Sequence, residues 1–327
     1  MPIYHQLGVV PRKRNATFMR ADGGDHFVAL AGSGGYGGAL SRLYHVNDPG
    51  RVVSTRQAFE LVWKREPAQP LRYRHFRTHR LAAADRIPLL WNDEVALHTW
   101  TPHKSGLYRN AQADEVLFVT EGAGTLETQM GEMAYQAGEF LVIPRGILHR
   151  LRMNPVRHRF LVIESRGAVR IPRGYRNGAG QLREDAPYGE RDIRRPQTLP
   201  VHEERGTFSL VVKKDKWLHE VVMEHHPFDV AGWDGYYYPW ALSLQDCAAG
   251  AGKLLSGDGF AVGAGGMGEE VVYCVKAGGP EVESGSLLLH PEGLARRAVA
   301  GEVAVRLTVA RPLVVGDGAL PVEASGY

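Results

Sequence analysis

The sequence predicts an all-β protein made of two barrel copies behind an N-terminal extension. Three observations carry this. From Asp114 to His149, short runs of β-branched and aromatic residues alternate with glycine and proline breakers. The pattern returns about 150 residues later: Glu270-Val-Val-Tyr-Cys-Val275 echoes Glu115-Val-Leu-Phe-Val119, and Gly285–Gly293 echoes Gly138–Gly146 in identical register. With 39 glycines and 19 prolines, the 327 residues suit a turn-rich β protein and suffice for two cores.

Within the first copy, Val116–Val119 reads as a strand, and Gly122 and Gly124 as a tight turn before Thr125–Thr128. Gly131 and Gly138 break the chain again, and the apolar run Phe140–Ile143 is stopped by Pro144 and Gly146. Short strands at regular spacing imply a sandwich or barrel. Glu115 lies seven residues before Gly122, and Gly138, Pro144, Gly146 and His149 fit G-x5-P-x-G-x2-H at every position. This spacing resembles that of cupins, and with the repeat it implies a bicupin of two jelly-roll barrels. The expected division is an N-terminal β-rich extension (1–60), a first barrel (61–170), a connection rich in Pro, Gly and charge (171–206), and a shortened second barrel (207–327).

Composition narrows the function. With 39 basic and 36 acidic residues the net charge is +3, which argues for neither a nucleic-acid nor a membrane partner. Arg72, Arg74, Arg77 and Arg80 alternate with Tyr73, His75, Phe76 and His79, a pattern that could grip nucleic acid. The favoured reading is a solvated strand or a subunit-contact edge in a homo-oligomer. Two cysteines, Cys247 and Cys274, imply no disulfide framework. The opening M-P-I-Y-H-Q-L-G is not a signal peptide, no apolar run approaches a membrane span, and the expected location is the cytoplasm. Gly32–Gly38 lacks the lysine and helix of a phosphate loop, and no nucleophile elbow is present.

A second resemblance is longer. M-P-I-Y-H-Q-L-G-x-x-P-R-K-R-N at the start is similar to the opening of bacterial homogentisate 1,2-dioxygenases, and so is G-G-Y-G-G-A-L-S-R-L-Y-H-V-N-D-P after it. The likeness continues through Tyr108–Thr128, Ile143–Gly146 and Tyr175–Pro196. Its most specific run is H-H-P-F-D-V-A-G-W-D-G-Y-Y-Y-P-W-A at 225–241. The resemblance implies Fe(II) in the C-terminal barrel, held by two histidines and one glutamate with positions left open for a phenolic acid and O₂. Glu270, or alternatively its neighbour Glu269, takes the glutamate position. Gly263 stands where the first histidine should be and Arg296 where the second should be. After His226 the sequence holds a single histidine, His290, which reads as a strand-end residue. The family's histidine base after the P-W-A run also has no counterpart between Ala241 and Gly268. A guanidinium has no lone pair for iron. Arg296 is therefore expected to neutralise Glu270 or to grip an anionic ligand.

The first barrel differs the other way. His149 completes its second motif, but Tyr108–Gln112 replaces the H-x-H expected before Glu115. If a metal is bound there, Fe(II) or another divalent ion, the expected ligands are Glu115 and His149 with His98 or His103 as the third. The candidate substrate-binding set is Arg296, Glu270, Tyr273, Trp233 and Tyr237. The aromatics of 233–240 suit a pocket wall and a β-core equally. The expected function is an altered enzyme acting on a small aromatic or phenolic acid. Two alternatives stay open: a non-catalytic binding or scaffold protein, and a ring-cleaving dioxygenase whose ligands lie elsewhere.

Overall fold

The computed structural model describes residues 3–13, 18–34, 37–66, 73–81, 84–248, 252–263, 268–275, 283–292 and 304–317. Among them the chain is all-β, with only single-turn 3₁₀ segments besides its strands. None of its helices is long and apolar enough to cross a membrane.

The Asp114–Glu121 strand is the centre of the first copy. Its first six residues are all buried, because both of its faces are covered, and it therefore reads as an unbroken apolar run flanked by acids. It lies between Glu139–Ile143 and Arg159–Ser165 in an eight-stranded sheet that continues through Val95–Trp100 and Ile87–Trp91. A seven-stranded sheet holds Leu107–Asn110, His149–Met153 and Ala123–Thr128, and extends through Arg205–Lys214 and Trp217–His225 to an edge strand, Val52–Glu60. Gly131–Gln136, at its other edge, alternates buried and open residues, as a half-covered strand should.

The second copy repeats the first at the level of hydrogen-bond register. Glu270 faces His290 and Thr308 across its two neighbours, as Glu115 faces Ile143 and Glu164. The repeat also explains a pair of exchanged strands. Arg74–Arg77, which precedes the first copy, pairs with Ser286–His290 of the second. Trp240–Ser243, which precedes the second copy, pairs with Glu139–Ile143 of the first. Arg74 opposite Leu289 matches Trp240 opposite Val142. The Arg72–Arg80 stretch is thus an internal edge strand where it is described. Arg74 pairs with Glu66 at 2.9 Å, and Glu283 takes His79 at 2.6 Å and Arg80 at 3.3 Å. Arg72 lies outside the described residues.

The strands of 205–243, which fall within the expected second barrel, hydrogen-bond to the first copy and to the N-terminal sheet. Val230–Gly235 joins His5–Gly8, Leu40–His45 and Phe27–Gly32. The repeat proper starts at Lys253. One hydrophobic cluster runs through both copies. In it Phe118 meets Phe140 at 4.7 Å and Tyr273 at 6.2 Å between ring centroids. Buried rings of this size dominate such a core.

Candidate functional site

The motif positions of the first copy converge as their spacing requires. Leu107–Asn110 brings Tyr108 and Asn110 beside Glu115, and His149 lies opposite Tyr108 in the sheet. Tyr108 Oη and Asn110 Nδ2 donate to Glu115 Oε1 at 3.0 and 2.9 Å, and His149 Nε2 is 3.9 Å from Glu115 Oε2. These are the four positions from which a cupin would hold a metal. The fifth group is a cation of the protein's own. Arg86, just before the Ile87–Trp91 strand, donates from both terminal nitrogens to the two Glu115 oxygens at 2.7 and 3.1 Å. Its guanidinium is layered with Trp100 at 5.0 Å and Tyr108 at 4.8 Å from the ring centres.

The charges continue inward. Arg86 also reaches Glu164 at 3.4 Å, Lys213 donates to Glu164, and His98 Nε2 lies 3.5 Å from the same carboxylate. Trp63 meets the His98 ring at 5.1 Å and has the Lys213 ammonium 5.2 Å from its ring centre. The charged members of this cluster and the two histidines are buried, and Trp63 is partly buried. Burial alone would push Glu115 up, but the Arg86 guanidinium, His149 and the Asn110 hydrogen bond hold it down at about 2. Burial lowers His98 to about 4, and lowers His149 against the pull of Glu115.

The metal reading of this barrel meets a chemical obstacle. Both Glu115 oxygens already accept hydrogen bonds from a guanidinium, and two of the four positions are Tyr108 and Asn110 instead of histidines. His98 faces Glu164, and His103 is exposed and outside the cluster. The donor set does not fit a divalent ion. Among the described residues no group of three or more His, Cys, Asp or Glu side chains is arranged to hold one. Arg86, Glu164 and Lys213 were missed in the sequence, because none lies in a motif. Their one trace is charge inside or beside apolar strand runs.

In the second copy, Glu270 is approached by Arg306 at 3.5 Å and by His290 at 3.7 Å. Arg296 lies outside the described residues. Gly263 ends the Phe260–Gly263 strand with φ +117, and a Cβ there would stand 2.2 Å from the Gly252 carbonyl oxygen. The backbone that should present the family's first histidine thus admits no side chain. The residues present do not fit a two-histidine, one-carboxylate iron centre.

Of the proposed substrate-binding residues, Trp233, Tyr237 and Tyr273 lie in different parts of the fold. Trp233 is fully buried, donates Nε1 to the Met130 carbonyl at 2.7 Å, and packs on His5 and Tyr238. Tyr237 donates its hydroxyl to the Arg145 carbonyl at 2.8 Å. Tyr273 packs on Phe118 between the two copies. Trp233 and Tyr237 are buried in the core, with their polar side-chain atoms satisfied by backbone carbonyls.

The paired copies and their converging motif positions define a two-copy cupin. Residues 78–244 match the family described as "Homogentisate 1,2-dioxygenase N-terminal". A Saccharolobus solfataricus protein with a provisional dioxygenase name is 34% identical over 268 residues, covering 78% of this chain and 67% of that protein. The homogentisate 1,2-dioxygenase of Emericella nidulans is 26% identical over 140 residues, covering 42% of this chain and 30% of that enzyme. Among solved structures, recombinant pro-11S globulin of pumpkin matches 79% of this chain and 83% of its own at 12% identity, with a TM-score of 0.27. The chain belongs to the homogentisate dioxygenase N-terminal family. It spans about two thirds of the length of the first relative and under a third of the second.

Proposed function

We propose that this chain is an altered member of its family that acts on a small aromatic or phenolic acid without the family's iron-centred ring cleavage. The observation that carries this reading is Gly263, whose left-handed backbone excludes the histidine an iron centre needs. The presence of one histidine, His290, after His226 supports it. The test is turnover of homogentisate and a panel of phenolic acids, with added Fe(II), ascorbate and O₂, by protein purified without chelator. The reading expects depletion of a phenolic acid but no ring-opened homogentisate. Ring-opened product would reject it.

A non-catalytic binding protein is the second reading. It is favoured by the closed Arg86–Glu115 pair, which suits a scaffold role for the first barrel. Binding of a phenolic acid without its consumption would select it. The two free cysteines suit a reducing cytosol. The exposed Val52 and Val53 on the Val52–Glu60 edge strand suit self-association into a homo-oligomer, which light scattering would measure.

A further inference from the structure

A cavity of about 360 Å³ lies outside both barrel interiors, where the N-terminal sheet meets the first copy. Its polar lining includes Arg109, Arg145, His45, His225 and Asp229, and Ala31, Leu43 and Met223 supply apolar wall. The volume is that of a small-molecule site, mostly apolar with a few converging polar groups.

The chain brings the backbone segments of the two arginines together. Arg109 is on the Leu107–Asn110 strand, and Arg145 is in the Pro144-Arg-Gly turn that follows Glu139–Ile143. Gly146, at φ +82, turns its N–H onto the Asn110 carbonyl at 2.7 Å, which ties the turn to the end of the Arg109 strand. Tyr237 holds the Arg145 carbonyl, and the Asp114 carboxylate accepts the Arg145 backbone N–H at 2.9 Å. The backbone of Arg145 is therefore anchored at three points.

Two arginines and one aspartate line the cavity. Asp229 is wholly buried, but it accepts from His45 Nδ1 at 2.7 Å, from the Asn47 backbone N–H at 2.7 Å and from Asn47 Nδ2 at 3.0 Å. Asp114 lies 4.0 Å from Arg145 Nε, with its two oxygens on the backbone N–H groups of Arg145 and Val169. Arg109 is half-buried, and its Nε has no hydrogen-bond partner among the described residues. Nε2 of His225, which is 2% exposed, also makes no hydrogen bond, and it lies 3.9 Å from Asp229 Oδ2. A guanidinium nitrogen held without a hydrogen bond costs stability unless something else satisfies it.

We infer that this cavity binds a small organic carboxylate with an apolar body of about one ring. Arg109 and Arg145 receive the carboxylate, the apolar wall takes the ring, and His45 and His225 face its far edge. A carboxylate is the matching ligand because a guanidinium donates along two parallel directions, and the wall area would be left wet by a bare inorganic anion. The inference goes beyond the proposed function: it is built from residues outside both barrel interiors and stands whether or not the chain turns anything over.

The test is calorimetric titration of the full chain with benzoate, benzyl alcohol and inorganic phosphate, on wild type, Arg109→Gln and Arg145→Gln. Benzoate should bind wild type, benzyl alcohol should not, and each substitution should weaken benzoate roughly tenfold or more. Arg109→Gln should also raise the melting temperature of the ligand-free protein, because it removes an uncompensated cation. A purely structural Arg109 predicts a lower one. Should Arg109→Gln fail to fold, the structural role is correct and the inference is overturned. No benzoate binding, equal binding in wild type and both variants, equal binding of the alcohol, or tighter binding of phosphate would each overturn it as well. Turnover assays and iron content do not enter this test, so its failure is separate from failure of the proposed function.

Discussion

Arg86 and Glu115 form a buried two-point ion pair at the place where a cupin barrel would hold its metal. The pair substitutes a fixed internal cation for an exchangeable one. Its stability depends on both partners, since a lone buried carboxylate or guanidinium is strongly unfavourable while the matched pair is tolerated.

Removing one partner should therefore be severe. Arg86→Met leaves Glu115 with two neutral donors and His149, and should destabilise the fold by ~3–5 kcal/mol. The double variant Arg86→Met, Glu115→Leu should recover much of that loss. Urea unfolding of the single and double variants measures both. Additive losses would show that the two side chains act independently.

Acid should weaken the protein in two stages. An unfolded histidine titrates near 6.5, while burial holds His98 down to about 4. Between these values the unfolded state binds a proton that the folded state refuses, so stability falls as pH drops from about 6.5 to about 4. At ~1.4 kcal/mol per pH unit this contribution approaches ~3 kcal/mol. Glu115, held at about 2 against an ordinary 4.5, stabilises the fold above about 4.5 and loses that contribution as pH falls toward 2. His98→Gln should reduce the slope of the first stage, to which His149 and His226 also contribute, and leave the second unchanged. An unchanged slope between pH 6.5 and 4 would assign the titration to another group.

Restoring the family's missing histidine should not restore its chemistry. Gly263→His places a side chain at φ +117 with its Cβ against the Gly252 carbonyl, and should cost more than ~1–3 kcal/mol. Thermal melting and iron content of this variant together test the point. A stable variant that gains iron would contradict the account of Gly263.

The exchanged strands should make the two copies fold as one. A chain ending at Asp246 keeps Trp240–Ser243 on the first copy, but strands Arg74–Arg77 of its partner sheet and loses the cover of Phe118. It should expose apolar surface and bind a hydrophobic dye, while the full chain unfolds in one transition. A well-folded truncated chain would show that the copies are independent.

The sequence made the repeat legible because register depends on local spacing. Glu115, Gly138, Pro144, Gly146 and His149 lie in strands and the turns that join them, and Glu270 and His290 copy the places of Glu115 and Ile143. What occupies the metal position was not legible. Arg86 comes from a segment with no motif, and Lys213 arrives on a strand that pairs in parallel with Leu107–Asn110 from a hundred residues away. The strand exchange was hidden for the same reason, since Arg74 meets Leu289 only in the folded chain. Trp233 and Tyr237 could be read as wall or core because an aromatic run has the same composition in both. Their hydrogen bonds to backbone carbonyls decided for core. Arg109 gave no signal, as an arginine's missing counterion is visible only in three dimensions.

The central claim is that neither barrel offers iron a fitting donor set. Its most direct test is the iron content of the full chain after anaerobic incubation with excess Fe(II) and removal of unbound metal. The account predicts far less than one iron per chain, with no change on His149→Ala. One tightly held iron per chain, lost in His149→Ala or on substitution of Glu270, would contradict it.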